Sequence, residues 1–155
     1  MEPDPSTPEE LDALEALIDA WAAEQLAENP TVDAVERDTE SGDRRWFVRL
    51  LGEEKAVFSV WIWLRQRSLH VETYFMPAPE ENQAQLYEHL LRRNLRFFGF
   101  TFAIGLEDAV FLVAQIPNAT VTVDELDRLL GSAYVYVEQC FRPAMRLGYA
   151  SKFKG

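Results

Sequence analysis

The segment Val57–Leu64, reading Val-Phe-Ser-Val-Trp-Ile-Trp-Leu, constrains this chain more than any other part of it. As a strand it would place Phe58, Val60, Ile62 and Leu64 on one face and Val57, Trp61 and Trp63 on the other. A strand apolar on both sides reads as central, and both faces of its sheet need cover. The near-apolar run from Ala56 to Leu64 falls far short of the ~20 residues needed to cross a bilayer, so no membrane role is expected. The chain has 155 residues, 48% of them apolar and 12% aromatic, with seven Gly and eight Pro. That length suits one domain burying roughly 70% of its unfolded surface. The expected organisation is one domain over 1–155, with 1–6 and 150–155 as flexible tails.

Around the central strand the hydrophobic period switches twice. Thr7-Pro8-Glu9-Glu10 carries a capping box with Pro at the first helical position. Leu11, Leu14, Leu17, Ile18, Trp21 and Gln25 follow at helical spacing, which leaves Glu15, Asp19, Glu24 and Glu28 toward water, until Asn29-Pro30 stops the helix. Segments 32–37, 44–51, 57–65 and 68–75 then read as strands joined by short connections, hence antiparallel neighbours. A second amphipathic helix is expected over 80–97, entered at Pro79 and closed by Gly99. A hairpin of 100–104 and 109–115 turns at Gly105-Leu106-Glu107-Asp108. Thr122 and Glu125 repeat the capping box for a third helix, which Pro143 should kink or end. The fold class is therefore α+β, in the order α-β(3 or 4)-α-β(2)-α, a mainly antiparallel sheet with helices packed on it.

Register follows from loop length. If Gln66-Arg67 is a two-residue turn, Ile62 lies opposite Val71 and Trp63 opposite His70. If residues 52–55 close the preceding hairpin, Trp46 lies opposite Trp61. One face then collects Phe47, Phe58, Val60, Ile62, Leu64, Leu69, Val71 and Phe75 as a helix-covered core. The other collects Trp46, Trp61, Trp63, His70, Glu72 and Tyr74 beside Val48 and Leu50. Aromatic bodies with polar tips have the composition of a partner or dimer surface. The third helix folding over this second face is the alternative.

Catalytic chemistry finds little support. His70, His89 and Cys140 are dispersed over different elements, so no metal site is expected. His70 and Glu72 could meet on one strand face, yet no nucleophile motif accompanies them. Cys140 falls within the apolar stripe of the third helix, and the isolated glycines form no phosphate loop. No catalytic residue and no cofactor is assigned. Arg92, Arg93 and Arg96 form a basic patch, and Arg65 and Arg67 another, but a pI near 4.6 argues against nucleic acid.

The string Arg67–Asn82 (RSLHVETYFMPAPEEN), together with Leu90–Asn94, Phe102–Ile104, Glu107–Val110 and Glu138–Pro143, resembles the actinobacterial branch of the YbjN-domain proteins, which are grouped with the type III secretion chaperone-like fold. The resemblance covers roughly residues 30–150. It implies an α-β(3)-α-β(2)-α domain, often dimeric, and brings no catalytic motif.

The function expected from these readings is a non-enzymatic cytoplasmic binding protein with a chaperone-like fold. It would present an aromatic sheet face to a protein client or regulatory partner, as a homodimer. A small-ligand sensor or regulatory domain is the alternative. The cytoplasm is expected because the start Met-Glu-Pro-Asp-Pro carries no secretory pattern and the lone Cys140 allows no intrachain disulfide. Charge is uneven: residues 1–40 hold 13 acids and one base, and the rest 13 acids and 14 bases. From Arg142 onward come Arg142, Arg146, Lys152 and Lys154 with no acid, so the first helix and the C-terminal end are expected to lie together.

Overall fold

The computed structural model of the chain describes residues 2–38 and 40–153. Helix α1 spans Pro8–Glu28 and starts as its sequence requires: Thr7 Oγ1 accepts from Glu10 N–H while Glu10 accepts from Thr7 N–H. Six strands follow in two groups. They are β1 (Val32–Asp38), β2 (Arg44–Leu51), β3 (Val57–Leu64) and β4 (Ser68–Met76), then, after α2 (Gln83–Asn94), β5 (Thr101–Ile104) and β6 (Val110–Pro117). Helix α3 (Val123–Gly148) closes the order, capped by Thr122, whose hydroxyl accepts from Glu125 N–H. The strands form one antiparallel sheet in the order β1-β2-β3-β4-β6-β5.

All three helices pack on one face of that sheet. The face presents Trp46, Val48 and Leu50 from β2, Phe58, Val60, Ile62 and Leu64 from β3, and Leu69, Val71 and Phe75 from β4, all buried. Helix α3 lays Tyr134 over Phe58 and Phe141 against Phe75. The α2–β5 connection sets Phe97 against Phe102. A bulge between Tyr74 and Met76 turns both Phe75 and Met76 inward. Thr73, the buried polar residue in the middle of this face, donates its hydroxyl to Ser59 C=O.

The two-residue turn at Gln66-Arg67 pairs Ile62 with Val71 and Trp63 with His70, as the loop length predicts. The β2–β3 connection differs from the expectation. Leu51 pairs with Val57, so five residues, 52–56, close the hairpin, and Gly52 N–H bonds to Ala56 C=O. Trp46 therefore lies opposite Ile62, and Phe47 opposite Trp61. A one-residue slip moves every side chain to the other face. Trp46, Val48 and Leu50 thus belong to the helix-covered core, and Phe47 to the opposite face.

Three further expectations change. Helix α2 begins at Gln83, not Glu80, and ends at Asn94, well before Gly99. Asn82 sits at φ 51°, and the N–H groups of Glu80 and Glu81 both bond to Gly148 C=O. Tyr149 Oη donates to Ala78 C=O, and Asn82 Nδ2 to Leu147 C=O. The Met76–Asn82 segment is thus a dock for the end of α3. Pro143 does not end α3, because Cys140 and Ala144 on either side of it are fully buried and Gly148 packs on Met76, Pro79 and Leu86. That burial and the dock offset the roughly 3 kcal/mol a helical proline costs.

The acids of α1 pair with the first two strands, and Arg142 and Lys152 pair elsewhere. Glu15 and Asp19 bind Arg37, and Glu15 and Asp12 bind Arg44. Two of the residues expected to face water, Glu15 and Asp19, therefore hold the first two strands. Arg142 pairs with Glu54 and Lys152 with Glu80; Lys154 lies outside the described residues. At the two ends, Pro3–Ser6 hydrogen-bond to Arg67, Gln66 and Asn118, and Ser151 bonds to Glu81.

Candidate binding face

With the α-helices on one side, the other side of the sheet carries the alternate residues of every strand and, among the described residues, no α-helix. Trp61 and Trp63 come from β3, His70, Glu72 and Tyr74 from β4, Arg45, Phe47 and Arg49 from β2, and Phe111 from β6. Two rings are well supported: Phe47 meets Trp61 edge to face with centroids 4.1 Å apart, and Phe111 meets Tyr74 in the same way at 5.6 Å. Such pairs hold rings in place by about 0.5–1.5 kcal/mol beyond their burial. Trp61 nonetheless stays 39% exposed and Tyr74 43% exposed.

These two rings form a ridge between two hollows. One, of about 790 Å³, lies between Phe47, Arg49, Lys55 and Ser59. The other, of about 580 Å³, lies between Arg45, Trp63, Arg65, His70 and Glu72. Trp61 and Tyr74 line both. Five of the six residues expected on this surface are therefore brought together: Trp61, Trp63, His70, Glu72 and Tyr74. The sixth, Trp46, is 1% exposed on the far side of the sheet, where its Nε1 donates to Asp19 and Arg37 lies over its ring. Phe47 takes its place.

Cations crown the aromatic residues. Arg65 lies 4.4 Å from the Trp63 ring centre and Arg45 5.6 Å from it, while Arg45 also pairs with Asp38. That pairing and the Ser41 hydroxyl hold the Asp38 carboxyl down to about 2. His70 does not pair with Glu72 as a base with its orienting acid would. Its Nε2 shares a hydrogen bond with Ser68 Oγ, which also accepts from Gln115. Burial, with Arg65 adding to it, pushes His70 below its ordinary value and so favours the neutral ring. Among the described residues no cluster of His, Cys, Asp and Glu is arranged to hold a metal. Cys140 is buried in α3, which raises its thiol.

Lys55 is one of the residues of this face, with Phe47, Phe111, Arg45 and Arg49, that the sequence reading did not place there. Its Nζ donates to the carbonyls of Tyr74 and Phe75, both at 2.9 Å, and lies near the Tyr74 and Phe141 rings. Burial pulls it down to about 8. Below pH 8 the ammonium is present in both folded and unfolded chains. Between about 8 and the ordinary 10.5 the folded chain loses its proton first, so the unfolded chain binds more protons and stability rises with pH. The unfolding free energy of the native chain is expected to rise across this window relative to Lys55→Gln, and the Lys55 ε-carbon resonance to titrate near pH 8. A titration at the ordinary lysine value would refute this.

The described residues form a two-layer α+β fold, with three α-helices on one face of a six-stranded antiparallel sheet. A chain in the crystal structure of the ExsC–ExsE complex shares it with a TM-score of 0.58, at 22% identity, over 83% of this chain and 94% of that one. Residues 10–144 match the YbjN family, described as "Putative bacterial sensory transduction regulator", and the chain belongs to that family. Relatives include the uncharacterized proteins Rv0487 of Mycobacterium tuberculosis (strain ATCC 25618 / H37Rv) and ML2442 of Mycobacterium leprae (strain TN). Each is 32% identical, over 69% and 71% of this chain. The chain spans only 58% and 60% of their respective lengths. The family and fold expected from Arg67–Asn82 and its companion segments are thus met. No helix among the described residues is long and apolar enough to cross a membrane.

Proposed function

We propose that the protein is a non-enzymatic, cytoplasmic binding protein that works as a homodimer and holds a segment of a protein partner on its bare sheet face. One observation carries this reading: Trp61, Trp63, Tyr74, Phe47 and Phe111 form a preformed aromatic surface, crowned by Arg45, Arg65 and Lys55, with no α-helix over it among the described residues. Rigid aromatic rings beside arginines are the residues that dominate interface energies. The chaperone-like fold supports the protein-binding part of the reading.

The test replaces Trp61, whose half-exposed ring is not needed for the core. A photo-crosslinking residue placed at Val57, on the rim, identifies what touches the face in cells, and affinity for that partner is then measured with purified protein. Trp61→Glu is expected to weaken binding by at least about thirtyfold, the signature of a loss of about 2 kcal/mol, with a melting temperature lowered by only about 2–4 °C. Equal affinity would overturn the reading. The alternative, a small-ligand sensor, is favoured by the two hollows and their polar walls. It predicts instead that a small-molecule extract quenches tryptophan fluorescence and raises the melting temperature, with Trp61→Glu abolishing both.

A further inference from the structure

Strands β3 and β4 separate at one end of the sheet, and a lysine fills the gap. Their pairing stops at Val60 and Thr73, so Tyr74 and Phe75, at the bulge of β4, have no paired residue on β3. Lys55, from the β2–β3 loop, supplies the missing donor: its Nζ donates to the Tyr74 and Phe75 carbonyls, both at 2.9 Å. The side chain is half-buried, with the Tyr74 and Phe141 ring centres 5.1 and 5.3 Å from the nitrogen. It also lines the open hollow of about 790 Å³ beside Phe47, Trp61 and Tyr74.

No carboxylate among the described residues pairs with this amine. Glu36 and Arg49 share the hollow with it, and on α3 Glu138 and Arg142 are engaged with the Glu53 and Glu54 N–H groups and the Glu54 carboxylate. Desolvation without a counter-ion favours the neutral amine and brings Lys55 to about 8. Near pH 7.5 roughly a quarter of such amines are neutral, against about one in a thousand ordinary lysines. The two carbonyls take both N–H groups of the neutral form, so its lone pair is left for an electrophile. Desolvated lysines beside a cavity are nucleophilic for this reason. The chain has three lysines, Lys55, Lys152 and Lys154, and Lys152 is the contrasting case. It is exposed, and its hydrogen bond to Glu80 raises it above the ordinary value.

We infer that Lys55 is a site of covalent acylation, its Nζ taking a small acyl group from an activated donor, an acyl phosphate or an acyl thioester. The neutral nitrogen attacks the acyl carbon and a C–N bond forms. The bond from that carbon to the phosphate oxygen or the thiol sulfur breaks with its electron pair on the leaving group, and the amine proton passes to water. The amide keeps one N–H, enough for one of the two carbonyls, and the aromatic face loses one of its cations. To test this, the full chain is incubated at that pH with acetyl phosphate and, separately, with acetyl coenzyme A, while peptide mass spectrometry follows Lys55 and Lys152 in time. Lys55 is expected to acetylate at least about tenfold faster than Lys152 with one donor or both, and the donor that reacts identifies the source of the acyl group. In guanidinium chloride the two rates should converge, because the unfolded chain has neither the rings nor the carbonyls around Lys55. Lys55 acetylating no faster than Lys152 with both donors, or keeping its advantage in the unfolded chain, would overturn the assignment.

Discussion

Trp46→Ala is expected to destabilise the protein by about 3–5 kcal/mol, the range for emptying a buried aromatic site. For a chain of this length that lowers the melting temperature on the order of 10 °C. The residue is 1% exposed, its Nε1–H donates to Asp19, and Arg37 stacks on its ring, so truncation leaves a cavity and strips a partner from the α1–β1 ion-pair network. Trp61→Ala, one strand over and on the opposite face, should cost only about 1 kcal/mol, the worth of its edge-to-face contact with Phe47 plus partial burial. Side-by-side chemical denaturation of the two variants measures the difference. If Trp61→Ala proved the more costly, the register of β2 on β3 would be wrong.

Gly52→Ala carries the second large effect. A methyl group at this position would overlap both the Glu138 carboxylate and the Lys55 carbonyl oxygen. Glu138 is not free to withdraw without cost, because its two oxygens accept the N–H groups of Glu53 and Glu54 and so tie the β2–β3 loop to α3. The backbone oxygen of Lys55 cannot withdraw without opening the loop. Overpacking of this kind costs about 1–3 kcal/mol. Glu138→Ala should cost about 1–2 kcal/mol through the loss of two hydrogen bonds from loop N–H groups to a carboxylate. Combining it with Gly52→Ala should recover only part of the sum, since Lys55 C=O still blocks the methyl group. Full recovery in the double variant, measured by denaturation, would show that the carboxylate alone excludes a side chain here.

These two residues also mark where sequence reasoning succeeds and where it stops. The pairing of β3 with β4 was legible because a two-residue turn admits a single register, and Ile62 duly faces Val71. The pairing of β2 with β3 was not, because Gly52-Glu53-Glu54-Lys55-Ala56 can close with four residues or five, and the five-residue loop is tied down by partners distant in sequence: Glu138, Arg142, Tyr74 and Phe75. An odd error in loop length exchanges the faces, so Trp46 changed places with Phe47 while the β3 and β4 members of the surface stayed. Helix caps at Thr7 and Thr122 were local and therefore readable. The start of α2 was not, since Glu80 and Glu81 spend their N–H groups on Gly148, a partner reached only through tertiary docking. Pro143 misled for the same reason: its local penalty is outweighed by contacts on both sides of it. Lys55 escaped notice because a lone loop lysine carries no pattern until Tyr74 and Phe75 close over it.

One-sided helical cover separates the residues that keep the chain folded from those that meet other molecules. The fully buried side chains Trp46, Val60, Phe75, Leu112 and Val137 lie beneath the helices, whereas Trp61 and Tyr74 on the bare side are 39% and 43% exposed. Substitutions there change what the surface attracts while touching little of what folds it. Such a sheet can be rewritten residue by residue, by evolution or by an engineer, and descendants with one common scaffold can differ wholly in what they hold.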